Sequence, residues 1–207
     1  LIVRNGSFFR KSDSKKVKRF FCRMCRCYFS TATYSDRYGQ KVRRINEPLK
    51  KLLVSGVSQR RAAKILDVNR KTIVRRFRFL AEQARVQHGR WLKTYAKKPL
   101  TSVQFDDLET SEHTKCKPLS VALAVEPKCR KILNFQVARM PAKGLLVHLA
   151  AQKYGPRKDE RPQGWNALME NLKPYVVKDV QFTSDDNPHY PKYVFSHFPS
   201  AIHRTVK

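Results

Sequence analysis

The sequence predicts a multidomain chain with three parts: a short β segment holding a cysteine pair, an all-α helix-turn-helix, and a mixed α/β domain. Positive charge is concentrated early, with 28 lysines and arginines against five acids in residues 1–100, and 16 against 11 afterwards. The hydrophobic pattern also changes from helical to strand-like spacing near residue 100. We therefore divide the chain into residues 1–45, 46–80, a basic linker at 81–100, and 101–207.

The net charge of +28 favours a polyanionic partner. Lysines and arginines that neutralise phosphates release condensed counterions, which drives basic surfaces onto nucleic acids. Membrane surfaces and the ribosome are the alternative partners. No apolar run is long enough to cross a bilayer, and no charged-then-apolar leader is present. We expect a cytoplasmic protein, with no membrane partner, that binds nucleic acid.

Residues 1–45 contain two β-like runs and a cluster of cysteines. Residues 1–6 predict a strand entering a turn, and residues 18–22 predict a second strand. Cys22 and Cys25 form a CxxC on the turn that follows. This spacing places two thiolates on one tetrahedral Zn²⁺, so the segment is interpreted as part of a β zinc ribbon.

A tetrahedral zinc site needs two further ligands. The first strand of a ribbon follows its own knuckle, so we expect the partner CxxC to lie upstream of Leu1. Cys27 is an alternative ligand at a less usual spacing, and a redox role for the CxxC would need a βαβ context that this segment lacks. Cys116 and Cys129 are expected to be ordinary core or turn residues.

The strongest local signal is a helix-turn-helix over residues 56–76. Ser58 is placed to cap a short helix, and Asn69 is placed to cap the next helix after a turn at residues 67–69. Residues 48–54 supply the first helix of the trio. The alternative is a small three-helix packing unit with a solvated basic face.

Apolar residues of the motif are expected to form its core: Ala63, Ile65, Leu66, Val68, Ile73, Val74, Phe77 and Leu80. In this motif the second helix enters the major groove of DNA. The residues expected to contact DNA there are Asn69, Arg70, Lys71, Thr72, Arg75 and Arg76.

Strand and helix patterns alternate after residue 100. Strands are predicted at residues 103–105, 119–125, 132–137 and 176–183, and helices after Pro141 and at 165–175, with a loop at 155–164. The order is therefore β, β, β, α, (α), β.

Acidic pairs follow the apolar residues of two of these strands. An acid on a core strand is costly unless it meets a cation or a hydrogen-bond network. Two acids from neighbouring strands would instead make a site for Mg²⁺ or Mn²⁺. The two pairs are Asp106 with Asp107, and Asp185 with Asp186.

These motifs together resemble the bacterial insertion-sequence transposases that combine a zinc ribbon, a helix-turn-helix and a DDE catalytic core. The FDD at residues 105–107 resembles the family's hydrophobic–Asp–acidic motif. The TSDD at residues 183–186, with Tyr190 following, resembles the second-aspartate motif, in which a small residue usually follows the aspartate. The resemblance assigns the catalytic and metal-binding roles to Asp106 and Asp185, with Asp107 and Asp186 as alternates.

Several expectations follow from the resemblance. It implies an RNase H-like sheet in which the first strand lies beside the fourth, Mg²⁺ or Mn²⁺ as cofactor, and strand cleavage and transfer at element ends. It implies double-stranded DNA as partner, a homodimer or larger assembly, and a nucleoid-associated location. The family's third acid is a glutamate on a later helix. No acid follows Asp186, and Glu170 is interpreted as a surface residue, so we expect a C-terminally incomplete catalytic domain.

The rival interpretation is a non-enzymatic helix-turn-helix DNA-binding regulator whose second domain senses a ligand or mediates assembly. It predicts that substitution of Asp106 or Asp185 leaves function intact. A serine recombinase is disfavoured because no Arg-rich, Ser-centred site is found. Five of the six histidines show no ligand spacing together: His113, His148, His189, His197 and His203.

Overall fold

The structure is a computed structural model that describes residues 1–206. Within these residues the protein is a mixed α/β chain with a three-stranded antiparallel sheet, a five-stranded mixed sheet and six α-helices. The elements are β1 (Ile2–Arg10), β2 (Lys15–Cys22), β3 (Tyr28–Ser30), α1 (Asn46–Val54), α2 (Gln59–Ile65), α3 (Arg70–Lys97), β4 (Leu100–Ser111), β5 (Pro118–Val125), β6 (Ile132–Arg139), α4 (Leu146–Tyr154), α5 (Arg161–Leu172), β7 (Val176–Ser184), α6 (Tyr190–His197) and β8 (Ile202–Thr205).

The chain divides into two compact units, residues 1–86 and residues from 87 onward. The boundary falls inside α3 and within the predicted linker. Across residues 1–206, no helix combines the length and the apolar character that a membrane crossing requires.

The first unit begins with the sheet β1-β2-β3. Both predicted strands are present, but the turn expected at Gly6 is wrong. Gly6 instead lies in an irregularity of the β1–β2 pairing between Arg4 and Ser7, with φ of +67°. A bulge of this kind inserts a residue without ending the strand, and glycine adopts positive φ at no steric cost. The hairpin therefore continues to Arg10 before it turns.

The helices α1, α2 and the start of α3 form the helix-turn-helix around a small core. Leu49, Ala62 and Ile73 are fully buried there. Both predicted caps are confirmed. The Ser58 hydroxyl accepts a hydrogen bond from the Arg61 backbone N–H at 3.3 Å, and the Asn69 side-chain oxygen accepts one from the Lys71 N–H at 2.8 Å.

Two residues predicted to lie in this core are on its surface. Ile65 is 56% exposed and Phe77 is 42% exposed, whereas Leu66 packs against the core as expected. Each step along a helix turns the side chain by about 100°. Ile65 is thereby carried off the face that Ala62 and Leu66 share.

The helix predicted to end near residue 80 continues to Lys97, so the expected linker is mostly helical. In the second unit, Leu92 is buried and Trp91 and Tyr95 pack beside it, which gives this stretch an apolar side. The helix ends just before Pro99, because a residue that precedes proline is disfavoured in the α conformation.

The second sheet has the strand order β6-β5-β4-β7-β8. Strands β4, β5 and β6 are antiparallel neighbours, while β7 runs parallel to both β4 and β8. The first predicted strand of this domain is therefore the neighbour of the fourth, as expected. The sequence interpretation did not identify α6 and β8.

Helix α5 covers one face of this sheet. It begins at Arg161, inside the predicted loop, and Pro162 lies in its first turn. Proline is tolerated there because the N–H group that it lacks would have no acceptor within the helix. The helix comes closest to β6 at Gly164, where an added Cβ would lie 3.2 Å from the Ala138 Cβ. Trp165 and the helix residues that follow it fill a core with Phe105.

Substitution of Ile73 by alanine should destabilise the first unit by about 2–5 kcal/mol, because it leaves a cavity in a closed core. The same substitution at Ile65 is the matched control and should change stability by about 0.5 kcal/mol or less. Urea denaturation followed by circular dichroism measures both. Equal losses at the two positions would contradict the burial assigned to them.

Candidate functional site

The pairing of β4 with β7 determines where the two acidic pairs lie. The parallel register aligns Val103 with Phe182 and Gln104 with Thr183. Asp106 and Asp185 each come two residues after the last of these pairs. Since neighbouring strands are about 4.8 Å apart, the two aspartates lie at corresponding positions just beyond the β4–β7 pairing, Asp106 within β4 and Asp185 directly after β7.

The sheet alternation separates the roles of Asp106 and Asp107. Phe105 is buried and Asp106 is exposed, so Asp106 points away from the core. Its carboxylate accepts a hydrogen bond from the Asp107 backbone N–H at 2.7 Å. Asp185 is the first residue after β7, and both Asp185 and Asp186 are exposed.

Tyr190, at the start of α6, packs on Phe105 with ring centroids 5.0 Å apart. Its ring is 2% exposed. Burial raises the pKa of its hydroxyl, and the negative charges of Asp185, Asp107 and Asp106 raise that pKa further. One buried phenol therefore feels all three charges. We call Asp106, Asp107 and Asp185 the acid cluster.

Asp107 is the half-buried member of the acid cluster. Its two oxygens accept hydrogen bonds from the Ser120 hydroxyl at 2.8 and 2.9 Å. Burial raises the pKa of this carboxyl, and the Ser120 hydrogen bond opposes that rise only in part. Ser120 is itself 1% exposed on β5. Sequence reasoning missed it, although a serine within an apolar strand is a signal for a buried polar partner.

A cavity of about 270 Å³ opens beside Asp107 and is also lined by Arg161 and Tyr190. Arg161 is held there by Asp159, which accepts from its Nη2 at 2.6 Å and from its Nε at 2.9 Å. The hydrogen bonds to Asp159 raise the pKa of Arg161, and the charge of Asp107 adds to the effect. An arginine fixed beside carboxylates can contact a phosphate oxygen with its free edge. The sequence interpretation did not identify this residue either.

His203 on β8 has a structural environment. Its Nε2 lies 2.9 Å from the Ser184 hydroxyl, and its ring stacks on Phe105 with centroids 5.7 Å apart. Burial lowers the pKa of the imidazole. These contacts support the end of β7 directly before Asp185.

The donors present fit Mg²⁺ or Mn²⁺ in type, because both ions prefer carboxylate oxygens. Their number is smaller than a closed site needs. Within residues 1–206, no group of three or more histidine, cysteine or acidic side chains is arranged to hold an ion. Asp106 and Asp185 stay the predicted ligands, while Asp107 is hydrogen-bonded to Ser120.

The CxxC lies on the turn between β2 and β3, as predicted. Cys22 is the last residue of β2 and Cys25 lies in the turn, and hydrogen bonding by the Cys25 backbone lowers the pKa of Cys22. The Cys27 thiol instead donates to the Cys25 carbonyl at 3.4 Å. The two predicted zinc ligands therefore flank one turn, and their role stays a prediction. Of the remaining cysteines, Cys116 is buried and Cys129 is exposed in the β5–β6 turn.

The residues predicted to face DNA differ in exposure. Arg70, Lys71 and Arg75 are exposed, and Thr72 is half-buried. Arg76 is turned inward, where its Nη2 donates to the Val42 carbonyl at 3.4 Å and burial lowers its pKa.

Two further observations complete this surface. Asn69 is exposed, but its side chain is engaged in capping α3. Arg78 is exposed one turn after Arg75, and the three-residue spacing places both on one side of the helix. The basic face of α3 therefore consists of Arg70, Lys71, Arg75 and Arg78.

The raised pKa of Asp107 has a defined effect on stability. A carboxyl of this kind stabilises the fold below its ordinary pKa of 3.8, and that contribution is lost as pH rises through its raised value. We therefore expect Asp107→Asn, which stays neutral, to gain stability relative to the wild type across this window and then to level off.

Denaturation of both proteins at a series of pH values measures this difference. The exposed Asp179 on β7 gives the matched control, Asp179→Asn, which should lack the gain. A stability difference for Asp107→Asn that does not vary with pH would contradict the role of burial.

Comparison with known proteins does not assign the chain to a family. No protein-family model matches the chain, and no curated protein matches it significantly. The functional inference is therefore drawn from the residues and their geometry.

Proposed function

We propose that this chain acts in DNA transposition, as an RNase H-like DDE transposase of the insertion-sequence kind. Its first unit binds double-stranded DNA, and the acid cluster of its second unit contributes to metal-dependent strand cleavage and transfer. The observation that carries the proposal is the parallel pairing of β4 with β7. It supports the proposal because it aligns the backbone positions of the two sequence-predicted aspartates on adjacent strands, two residues beyond the last aligned pair.

Asp106 and Asp185 are the residues that would hold the metal. When bound there, Mg²⁺ or Mn²⁺ would activate a water or a 3′-hydroxyl and stabilise the leaving oxygen. The family resemblance assigns a third carboxylate to a later glutamate. The chain's own contribution is the aspartate pair, since no acid follows Asp186.

Neighbouring groups would orient the DNA at this site. Arg161 lies on the cavity beside Asp107, where its guanidinium can bind a backbone phosphate. Ser120 fixes the carboxylate of Asp107. Tyr190 lies on the buried side of the site, where its ring packs on Trp165 with centroids 4.8 Å apart.

The basic face of α3 would enter the major groove. The early residues of a recognition helix reach base edges, while flanking basic residues bind phosphates. Arg70 and Lys71 are at the start of the helix and exposed. The Asn69 cap fixes the first turn from which they project. Since two element ends must be joined, we also propose that the protein works as a dimer or larger assembly.

A non-enzymatic DNA-binding regulator remains the second candidate. The observation that favours it is a cavity of about 540 Å³ in the second unit, lined in part by Lys117, Arg139 and Tyr154. This volume is within the range of small-molecule sites. Such a regulator would bind DNA through α3 and use the second unit as a sensor.

Variants of the aspartate pair separate the two candidates. We expect Asp106→Asn and Asp185→Asn each to lower Mg²⁺-dependent strand transfer by more than about 100-fold. Loss of an outer-shell partner of a metal site costs up to about 100-fold, and loss of a direct ligand should cost more. The assay uses labelled duplex ends and the protein expressed from its complete reading frame. Asp179→Asn, which removes an exposed charge from the same strand β7, should retain activity.

The chain itself offers a second measurement. Paramagnetic Mn²⁺ should broaden the nuclear magnetic resonance signals of Tyr190 in the wild type, and less so in the double variant of Asp106 and Asp185. Full activity in both single variants would leave the regulator as the function.

The basic face of α3 has its own test. Each phosphate contact that is lost should reduce the slope of log affinity against log salt by about 0.9. We expect Lys71→Gln with Arg75→Gln to reduce that slope by about 1.8 and to weaken duplex binding. Lys128→Gln with Lys178→Gln, at exposed sites of the second unit, is the control. Equal losses in both double variants would contradict a specific role for α3.

A further inference from the structure

The first unit contains a cleft that the predicted DNA-contacting residues do not include. Its volume is about 740 Å³, and it lies between the β1–β2 turn and the segment that precedes α1. The β1–β2 turn contributes residues 11–15, and the segment contributes residues 37 and 41–44. Six cationic side chains line it: Lys11, Lys15, Arg37, Lys41, Arg43 and Arg44.

The positive charge of this cleft is largely uncompensated. Its one acid, Asp13, is neutralised by Arg10, whose Nε donates to the carboxylate at 2.7 Å. Arg37 pairs with Glu47 at 2.7 Å. In the part of the chain that the structure describes, the other five cations form no ion pair with an acidic side chain. Five like charges on one concave surface repel one another, so the cleft favours an anionic ligand.

A backbone contact holds one of these cations, Arg43, in place. The Arg43 Nε donates to the Arg37 carbonyl at 2.9 Å, which joins the two ends of the wall. The 3-10 turn Arg43–Ile45 is anchored by Ile45, which is 2% exposed. On the opposite wall, Lys15 pairs with Arg10 in the β1–β2 register. Preorganised side chains lose less entropy when they bind a ligand.

The cleft is joined to the recognition helix by a direct contact. Val42 lines the cleft, and its carbonyl accepts the hydrogen bond from Arg76. Arg76 follows Arg75, which lies on the basic face of α3. The cleft and α3 thus belong to one packed unit, and an extended polyanion can contact both.

We propose that this cleft binds the phosphate backbone of duplex DNA beside the segment that α3 reads. The proposal rests on the DNA-binding part of the proposed function and adds a second contact surface to it. Phosphate contacts position a protein on the duplex but carry no base information. The cleft therefore supplies affinity that is independent of sequence and sensitive to salt.

Two matched lysine pairs test this role. Lys11→Gln with Lys41→Gln removes two charges from the cleft, and Lys50→Gln with Lys51→Gln removes two exposed charges from α1. Fluorescence anisotropy measures binding of the chain to two duplexes of unrelated sequence over a range of salt concentrations. We expect the cleft variant to lose about 1.8 from the salt slope, and to lose affinity equally on both duplexes. The α1 variant should keep the wild-type slope.

Each contrary result has a distinct meaning. An unchanged slope in the cleft variant, or equal slope losses in both variants, would overturn the cleft proposal while duplex binding by the wild type stands. A wild-type chain that binds neither duplex would overturn the DNA-binding function together with the cleft. Circular dichroism of the variants verifies that they are folded.

Discussion

The candidate active site depends on one pairing, the parallel alignment of β4 with β7. Asp106 and Asp185 are 79 residues apart in sequence, and this pairing places their backbone positions on adjacent strands. Buried neighbours, chiefly Phe105 and Phe182, fix the two strands from the core side. Hydrophobic packing thus holds the two aspartates on adjacent strands, although like charges on neighbouring carboxylates repel each other. The repulsion is tolerable because both side chains remain in contact with water.

The electrostatic character of the chain differs between its two units. The first is densely basic, and both the basic face of α3 and the cleft beside the β1–β2 turn present cations with few acidic partners. The second carries 20 lysines and arginines against 11 acids and contains the acid cluster. Under the proposed function, a long-range attraction would bring the polyanion to the first unit, because steering depends on summed charge. Reaction at the second unit would then depend on local geometry. Arg161 is the cation placed to offset phosphate charge beside Asp107.

Local signals in the sequence predicted much of this fold. Ser58 and Asn69 were identifiable as caps because their hydrogen bonds are to backbone groups two or three residues away. Strand alternation and the FDD and TSDD motifs located both acidic pairs. Tertiary packing was harder to predict. The exposure of Ile65 depends on which side of a two-turn helix meets the core, and the length of α3 depends on Leu92 finding partners in a distant sheet. Ser120 reaches Asp107 only through strand pairing.

Gly164 shows how a residue remote from the reacting groups can control them. It is the point where α5 rests on β6, with backbone against the methyl of Ala138. The size of the residue at this position affects the distance between α5 and the sheet. Arg161 lies one turn earlier on the same helix, so a movement of the helix at Gly164 would also move Arg161. A methyl group at position 164 would lie 3.2 Å from the Ala138 Cβ, so the helix or the strand would have to shift slightly to admit it.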